Sequence, residues 1–546
     1  ACHDRRPTYK NMNSGTFTLV FSRIHHMLVA VADFTSAHGN GYRVRTAAFG
    51  QSAVHQVPLR ALVAALVLVG IFGTVAPSVA QIVAAPGSGA QVMQTQNGLP
   101  QVNIARPSGA SVSLNNYSQF DVQRQGAILN NSPTFTQTQQ AGYINGNANL
   151  SPGQEARVIV NQVLSNAPSQ LRGYLEVAGR RAEVVIANPN GIAIDGGGFI
   201  NTSRAILTTG TPNFGPGGNL AGFAVNGGTI TVQGAGLNAT NVDQVDLLSR
   251  AIAVNAAIYA NKLNVIAGAN QVDHDTLRAT PIAGSDAAPA LAIDVSQLGG
   301  MYANRIWLVS NEYGVGVSTR GILAAQAGDL TLQSNGRLVL AGRTNASGSI
   351  SASARDGIDN SGTTYAQRDV VATTSGSLVN TGVLAAQDNT SIHAGSVASA
   401  GTLAAGVNGD GTIANAGNLN VLASGAVSAT GRNQGGGETW MQGASLNLAG
   451  SNTSTNGALT LTALSGDMNL SGANATAGGA LAAGAATTLL ADDGKLSGGS
   501  VRIAAANVSN VHGQVVSQST LDLKTGGALD NRGGTLQAAG RATVSA

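Results

Sequence analysis

Cysteine is all but missing. The 546-residue chain has one, Cys2, so no disulfide can close within it and no cysteine-based zinc site can form. Charge is scarce too. Asp, Glu, Lys and Arg make up 10% of residues, against about a quarter in an ordinary soluble domain. Aromatic residues are 4%. The few basic residues are unevenly placed. Arg5, Arg6, Lys10, Arg23, Arg43, Arg45 and Arg60 fall in residues 1–80, with only Asp4 and Asp33 to balance them. Taking these seven and two from totals of 29 and 26 leaves 22 basic and 24 acidic residues, a net charge of −2 for the rest. No basic run follows residue 80, which removes the electrostatic case for nucleic-acid binding.

What the chain has instead is glycine, 72 residues of it, and 43% hydrophobic residues, mostly Ala, Val, Leu and Ile. Disordered chains combine low hydrophobicity with high charge, and this one has neither. The length exceeds one ordinary core. Small and β-branched residues among many glycines point to stacked short strands and tight turns.

LRALVAALVLVGIFGTVAPSVAQ spans residues 59–81. Arg60 precedes an apolar run, and Ser78-Val79-Ala80 supplies small residues at a cleavage position, which is the shape of a secretory signal. A membrane anchor is disfavoured because the run is short for ~30 Å of hydrocarbon and ends at Pro77. Cleavage after Ala80 is expected, leaving Gln81 as the mature N-terminus. Mass spectrometry of exported protein checks this, and a peptide crossing Ala80–Gln81 would contradict it. Upstream, residues 12–39 resemble the extended signal region of very large exported bacterial proteins, in the runs 17–21 and 27–33. On that basis Met12 is the expected start. His3, His25, His26, His38 and His55 lie in this removable part, where the adjacent His25 and His26 read as incidental rather than as a ligand pair.

VVIANPNGIAIDGGGF (184–199) is glycine-rich enough to suggest a phosphate cradle. Such a loop needs Gly-x4-Gly-Lys-Ser/Thr, or Gly-x-Gly-x-x-Gly between a strand and a helix. Here no Lys follows, and Phe199-Ile200-Asn201 continues as strand. Asn188-Pro189 presets a turn and Asn190-Gly191 accepts positive φ at little cost. The stretch therefore reads as turn chemistry between strands, like its neighbours ARVIVNQV (156–163), LRGYLEVAG (171–179) and AEVVIANPNGIAI (182–194).

An ordered set of motifs runs from Pro100 to Phe214: PQVN (100–103), NY and QFDV (116–122), ILNNS (128–132), ARVI (156–159), SQLRG (169–173), NPNGI (188–192), GFIN (198–201) and LTTGTP (207–212). This region resembles the secretion domain of two-partner-secretion exoproteins, the group of filamentous haemagglutinin and the large contact-dependent growth-inhibition proteins. Where that family often has Asn-Pro-Asn-Leu, this chain has Asn147-Ala148-Asn149-Leu150. Some growth-inhibition relatives carry a cysteine pair near the Asp-Gly segment; Ile194 and Gly197 stand there, so no disulfide forms. The resemblance implies an all-β, right-handed parallel β-helix with an N-terminal secretion domain. It also implies export by the general secretion machinery and then through an outer-membrane two-partner-secretion transporter barrel. Asn147, Asn149, Leu150, Asn188, Pro189, Asn190, Gly191 and Ile192 are the implied secretion-motif residues.

Beyond about residue 329 a repeat emerges. Leu330-Thr331-Leu332, Ile350-Ser351-Ala352 and Val370-Val371-Ala372 step by 20, as do Val501-Arg502-Ile503 and Leu521-Asp522-Leu523. Periods of this size mark solenoids. Leu-x-Leu places both apolar side chains on one strand face, with Thr, Arg or Asp outside. Residues 330–546 should then make about eleven coils, ~50 Å of rod at ~4.8 Å per coil. The last coil has no cap, so the chain is expected to be the front of a longer protein. The expected divisions are 1–58, 59–80 for the signal, 81–325 for the secretion domain and 326–546 for repeats.

Sites for chemistry are sparse, and no cofactor or metal is expected. Asp273-His274-Asp275 on a strand would put His274 opposite the two carboxylates, so the three read as a polar loop. Gly409-Asp410-Gly411 is a lone fragment of a calcium-type repeat, and Asp492-Asp493 reads as a solvated turn. Arg355-Asp356-Gly357 is not the integrin-binding tripeptide. No carboxylate cluster recurs at the 20-residue step, so an enzyme of the β-helix type is not expected. Two functions remain: a secreted or surface adhesin contacting a protein or glycan receptor on host or neighbouring cells, or the stalk of a contact-dependent toxin-delivery protein whose toxic domain lies beyond this chain.

Overall fold

The computed structural model describes residues 81–546 and, before them, the strands Thr18–Ser22 and Met27–Val31, which pair antiparallel. The expected signal at 59–80, with Ala80, Cys2 and the five leader histidines, lies outside the described residues.

From residue 81 the chain winds as a parallel β-helix with three sheets. Its crossovers take the right-handed sense that twisted strands impose on such connections. One coil shows the plan. Leu330–Ser334 lies in the first sheet, Arg337–Leu340 in the second and Arg343–Ala346 in the third, and Ile350–Ala354 returns to the first one coil on. The first sheet has 19 strands. Eighteen of them run parallel, from Val112–Phe120 to Ala542–Ser545, and Ile82–Ala84 lies antiparallel across the front of the stack. Gln91–Gln94 does the same for the third sheet, against Pro100–Asn103.

The repeat phase read from sequence is the physical register. Leu330, Ile350, Val370 and Thr390 stack in succession, as do Leu419, Thr439 and Leu459. Eleven first-sheet strands follow residue 329. The step lengthens once to 29, from Thr390 to Leu419, where a loop containing the bridge Val407–Ile413 is inserted. Inward Leu330, Leu332, Ile350 and Val370 are buried while outward Ser351 and Val371 are exposed register partners. Each coil thus buries one side of three short strands, and stability accumulates along the stack. Asparagines reinforce it. Asn360 Nδ2 donates to Asn380 Oδ1 one coil on (2.7 Å), and Asn380 Nδ2 to Ser399 Oγ (3.0 Å).

The coils up to about residue 310 carry an extra layer that the sequence reading did not anticipate. Four antiparallel strands, Thr211–Phe214, Leu220–Val225, Asn270–Asp273 and Ala279–Pro281, lie over the outer side of the first sheet. Between them is a second core in which Val160, Val185, Ile206, Leu248 and Ile266 face Phe223, Val225, Val272 and Leu277, all buried. First-sheet strands here are apolar on both sides, as in Val184-Val185-Ile186-Ala187, because both sides are covered. In the repeat body the same outer side is Ser- and Thr-rich and exposed.

Candidate functional site

The two Asn-x-Asn segments fold on one plan. The Asn147 carbonyl accepts the N–H of Leu150 and the Asn188 carbonyl accepts that of Gly191, both at 3.1 Å. Each Oδ1 accepts the N–H two residues on, from Asn149 at 2.9 Å and Asn190 at 3.0 Å. The side-chain amides then point inward. Asn147 Nδ2 donates to the carbonyls of Ile104 (2.9 Å) and Asn130 (3.0 Å). Asn188 Nδ2 donates to the Ala167 carbonyl (2.9 Å) and Ser169 Oγ (3.0 Å). Both asparagines are buried, at 1% and 0% exposure. A short side chain that can cap its own turn while satisfying two buried acceptors explains why Asn, and not Asp or Ser, stands there.

The second asparagine of each pair faces outward and pins the turn to a neighbouring segment. Asn149 Nδ2 donates to the Ile104 carbonyl (3.0 Å), and Asn190 Nδ2 to that of Ser165 (2.6 Å). Gly191 follows with φ +114°, a conformation glycine adopts without strain. Leu150 and Ile192 are buried where each turn rejoins the coil. Exposed Ala148 takes the place that Pro189 has in the other turn. No hydrogen bond joins the two turns. Gln81, at the expected mature start, accepts the Asp121 N–H on its carbonyl at 2.7 Å.

The Asp273-His274-Asp275 expectation is corrected by the turn that follows Asn270–Asp273. Asp273 Oδ1 accepts the N–H groups of Asp275 and Thr276 and the Thr276 hydroxyl. That tips His274 inward to 6% exposure, with Nδ1 2.7 Å from Asp275 Oδ1 and Nε2 3.1 Å from Glu183 Oε2. His274 therefore does converge with a neighbouring carboxylate. These bonds, the Thr276 hydroxyl first, hold the Asp273 carboxyl below its usual range. Beside it lies a cluster that sequence reading missed. Asp246, fully buried on the outer side of the first sheet, accepts from Arg204 Nε (2.5 Å), Gln244 Nε2 (3.0 Å) and Asn264 Nδ2 (2.7 Å). Arg204 also donates to the His274 carbonyl at 2.8 Å. The cluster ties the antiparallel layer to the coil. Only a lone polar residue inside an otherwise apolar run, Asp246 in Val-Asp-Leu-Leu, signalled it.

A second clamp holds the loop after Ala279–Pro281. Arg250 pairs with Asp286 and, at 2.8 Å, with Glu312 Oε1. The hydrogen bond between them raises the Arg250 guanidinium and lowers the Glu312 carboxyl relative to their ordinary values. Asp410 closes a small exposed turn by accepting the Thr412 N–H and hydroxyl. Asp492 is part of a corner, accepting from Ser509 and the Val511 N–H. Arg355 lies 3.8 Å over the Tyr313 ring. Among the described residues no group of three or more metal-ligating side chains gathers.

Residues 80–340 match the family described as the TPS secretion domain. The chain is 50% identical over 490 residues to the "tRNA nuclease CdiA-2" of Burkholderia pseudomallei (strain 1026b), covering 89% of this chain and 16% of that protein. It is 39% identical over 546 residues to the "Toxin CdiA" of Yersinia pestis, covering 98% of this chain and 16% of the relative. It thus spans about one sixth of the length of these curated relatives. A crystal structure of the filamentous hemagglutinin secretion domain is 35% identical, with TM-score 0.46, over 52% of this chain and 95% of the other. The TPS secretion domain matched at residues 80–340 implies a two-partner-secretion transporter and a secreted or cell-surface location. On the match at residues 80–340 and the likeness along nearly the whole chain, the protein belongs to the two-partner-secretion exoproteins.

Proposed function

We propose that this chain is the export-and-stalk region of a filamentous exoprotein that acts outside the cell as an adhesin. The general secretion machinery delivers it to the periplasm, and the outer-membrane barrel passes it on. The observation that carries the reading is a secretion domain continuous with a solenoid of eighteen coils. At ~4.8 Å per coil that is a rod of roughly 80 Å, suited to reach rather than to enclose a substrate. Pairing one coil back keeps contacts local, so the rod can fold by propagation as it emerges. With no cysteine after Cys2, no disulfide opposes threading in the oxidising periplasm. The sparse, balanced charge supports a protein or glycan receptor and not nucleic acid.

A second reading, the stalk of a contact-dependent toxin-delivery protein, is favoured by the names of the relatives, a tRNA nuclease and a toxin. Cells carrying the full gene separate the two. Binding to target cells without growth inhibition supports adhesion alone; inhibition that requires contact supports delivery.

The two Asn turns are proposed to serve export. Asn190→Ala removes an exposed hydrogen bond to the Ser165 carbonyl and a longer one, at 3.3 Å, to Asn188 Oδ1, and should cost about 0.5–1.5 kcal/mol, leaving the thermal unfolding of the chain nearly unchanged. Export through the co-expressed barrel should nevertheless fall severalfold. Asn188→Ala strands buried acceptors and should lower both stability and export. Normal export of Asn190→Ala would assign the turns to folding alone.

A further inference from the structure

Both tryptophans of the chain, Trp307 and Trp440, stand in one outward column of the first sheet. Successive register partners carry the column from Trp307 through Thr331, Ser351, Val371, Ser391 and Asn420 to Trp440. Six coils at ~4.8 Å set the two residues ~29 Å apart along the rod. Trp440 is 45% exposed. Its neighbours in the column, Asn420 and Thr460, are polar. Among the described residues it enters no aromatic pair and no cation–π contact. Trp307 packs, half-buried, on the edge of the second core. Together with Arg305, Asp329 and Thr331 it also lines a shallow groove of about 340 Å³.

The track between them is open and uncharged. From Thr331 to Gly484 no outward position of the first sheet is Asp, Glu, Lys or Arg. The second outward column beside it reads Gln333, Ser353, Thr373, His393, Leu422 and Gln442. Hydroxyls and amides thus recur at nearly every coil. The loop inserted between Thr390 and Leu419 leaves this face clear, because Tyr365 of the third sheet holds it by donating its hydroxyl to the Val407 carbonyl at 3.2 Å. At the other end the antiparallel layer stands over the same side of the sheet up to about residue 310. The track therefore lies one step below that layer, with the groove at Trp307 where the step falls.

We infer that this face, from Trp307 to Trp440, binds an uncharged β-1,4-linked polysaccharide lying along the rod. Such a chain is a flat ribbon, and it advances by nearly one coil's rise per sugar, so each sugar meets a fresh pair of hydroxyl or amide side chains. The C–H faces of its sugars carry partial positive charge and suit the negative face of an indole ring. Trp440 holds one end and the groove at Trp307 the other, where Arg305 and Asp329 offer a donor and an acceptor to sugar hydroxyls and cancel in charge. A single-stranded nucleic acid would need a basic path for its phosphates, which the track lacks. A second rod laid along the track would run into the antiparallel layer, whereas a ribbon one sugar thick passes below it. The sheet fixes the side chains in place, so little ordering is lost on binding. The inference rests on the reading that the rod stands outside the cell, and it names the ligand class that reading leaves open.

The test titrates the purified exported chain with cellohexaose and with chitohexaose, the two sources of such a ribbon, and with cellobiose, the α-linked maltohexaose and an oligothymidylate as controls. Calorimetry gives the affinity. Tryptophan emission gives the place, since both tryptophans lie on the track. Saturable binding of at least one β-1,4 hexamer is expected, with a change in emission, and cellobiose should bind at least tenfold more weakly because it cannot span the track. Trp440→Ala should weaken the hexamer roughly tenfold, and Trp440→Phe should keep most of the affinity. Val371→Glu puts a charge midway along the track on an exposed position, leaves both tryptophans as reporters and should weaken binding by a similar factor. Thermal unfolding of each variant is followed alongside; Val371→Glu decides the matter should Trp440→Ala fold poorly. No binding of either hexamer by the wild type, equally tight binding of maltohexaose or oligothymidylate, or binding untouched by both Trp440→Ala and Val371→Glu would each overturn the inference. Adhesion of cells carrying the full gene is measured separately. Lost adhesion with intact hexamer binding by the purified chain would fault the proposed function and leave this site standing.

Discussion

Asp246→Ala should release the antiparallel layer from the first sheet. Asp246 is fully buried, and it is the acceptor that Arg204, Gln244 and Asn264 share. Without it the Arg204 guanidinium, whose side chain is 12% exposed, keeps only Glu183 at 3.7 Å as counter-charge, beside the neutral His274 carbonyl. Removing one partner of a buried ion pair costs about 3–5 kcal/mol, and the longer Glu183 contact offsets only part of it. Arg204 also holds the His274 carbonyl, so the loss should spread into Asn270–Asp273 and Leu220–Val225. Hydrogen exchange reads this locally: amides of Leu220–Val225 should exchange far faster in the variant while those of Leu459–Ala463, many coils away, keep their protection. The double variant Arg204→Met/Asp246→Leu is the control. Replacing the whole pair with apolar groups should recover most of the loss, because paired burial of charge returns little net stability. Equal exchange in Asp246→Ala and the wild type would mean that the apolar second core holds the layer alone.

The repeat body was legible because a single physical rule governs it. Leu330 and Leu332 point inward and Thr331 outward, and the next coil repeats the choice 20 residues later, so phase in the sequence is register in space. The partnership of Ser351 with Val371 follows directly. The turn at Asn188-Pro189-Asn190-Gly191 was legible for a similar reason, since its residues suit a turn whatever surrounds them. What surrounds them was not. That Asn188 is buried and Asn190 is exposed depends on Ala167 and Ser169, some twenty residues back. The antiparallel layer escaped notice because apolar residues on both sides of a strand do not say what covers the second side. His274 was misplaced because the Asp273 side chain ends its strand one residue early, a local competition that periodicity does not register.

Gly362→Ala should break the solenoid where the second sheet meets the third. Gly321, Gly342, Gly362, Gly382, Gly401 and Gly431 occupy that corner in six successive coils. A Cβ at each would come within 1.9–2.2 Å of the carbonyl oxygen of the corner glycine one coil earlier. For Gly362 that atom is the Gly342 oxygen at 1.9 Å, which also accepts the Thr363 N–H at 2.9 Å. None of these glycines has positive φ, so the demand is for space and not for an unusual backbone. The obstacle is backbone, which cannot swing away as a side chain can. Relief requires the two coils to part at the corner and the Thr363 bond to stretch. Overpacking typically costs 1–3 kcal/mol, and this contact should reach at least about 3 kcal/mol. In a stack that contacts only its neighbours, one weakened interface lowers cooperativity as well as stability. Thermal unfolding should therefore shift down and split into two transitions, one for each side of the damaged corner. Gly526→Ala is the matched control: nothing lies within 4 Å of its Cβ and its φ is not positive, so it should be neutral or gain a few tenths of a kcal/mol from the unfolded state, roughly as Gly-to-Ala changes do at compatible sites. A single, unshifted transition for Gly362→Ala would show that the coils can separate at this corner without cost, and the glycine column would then need another explanation.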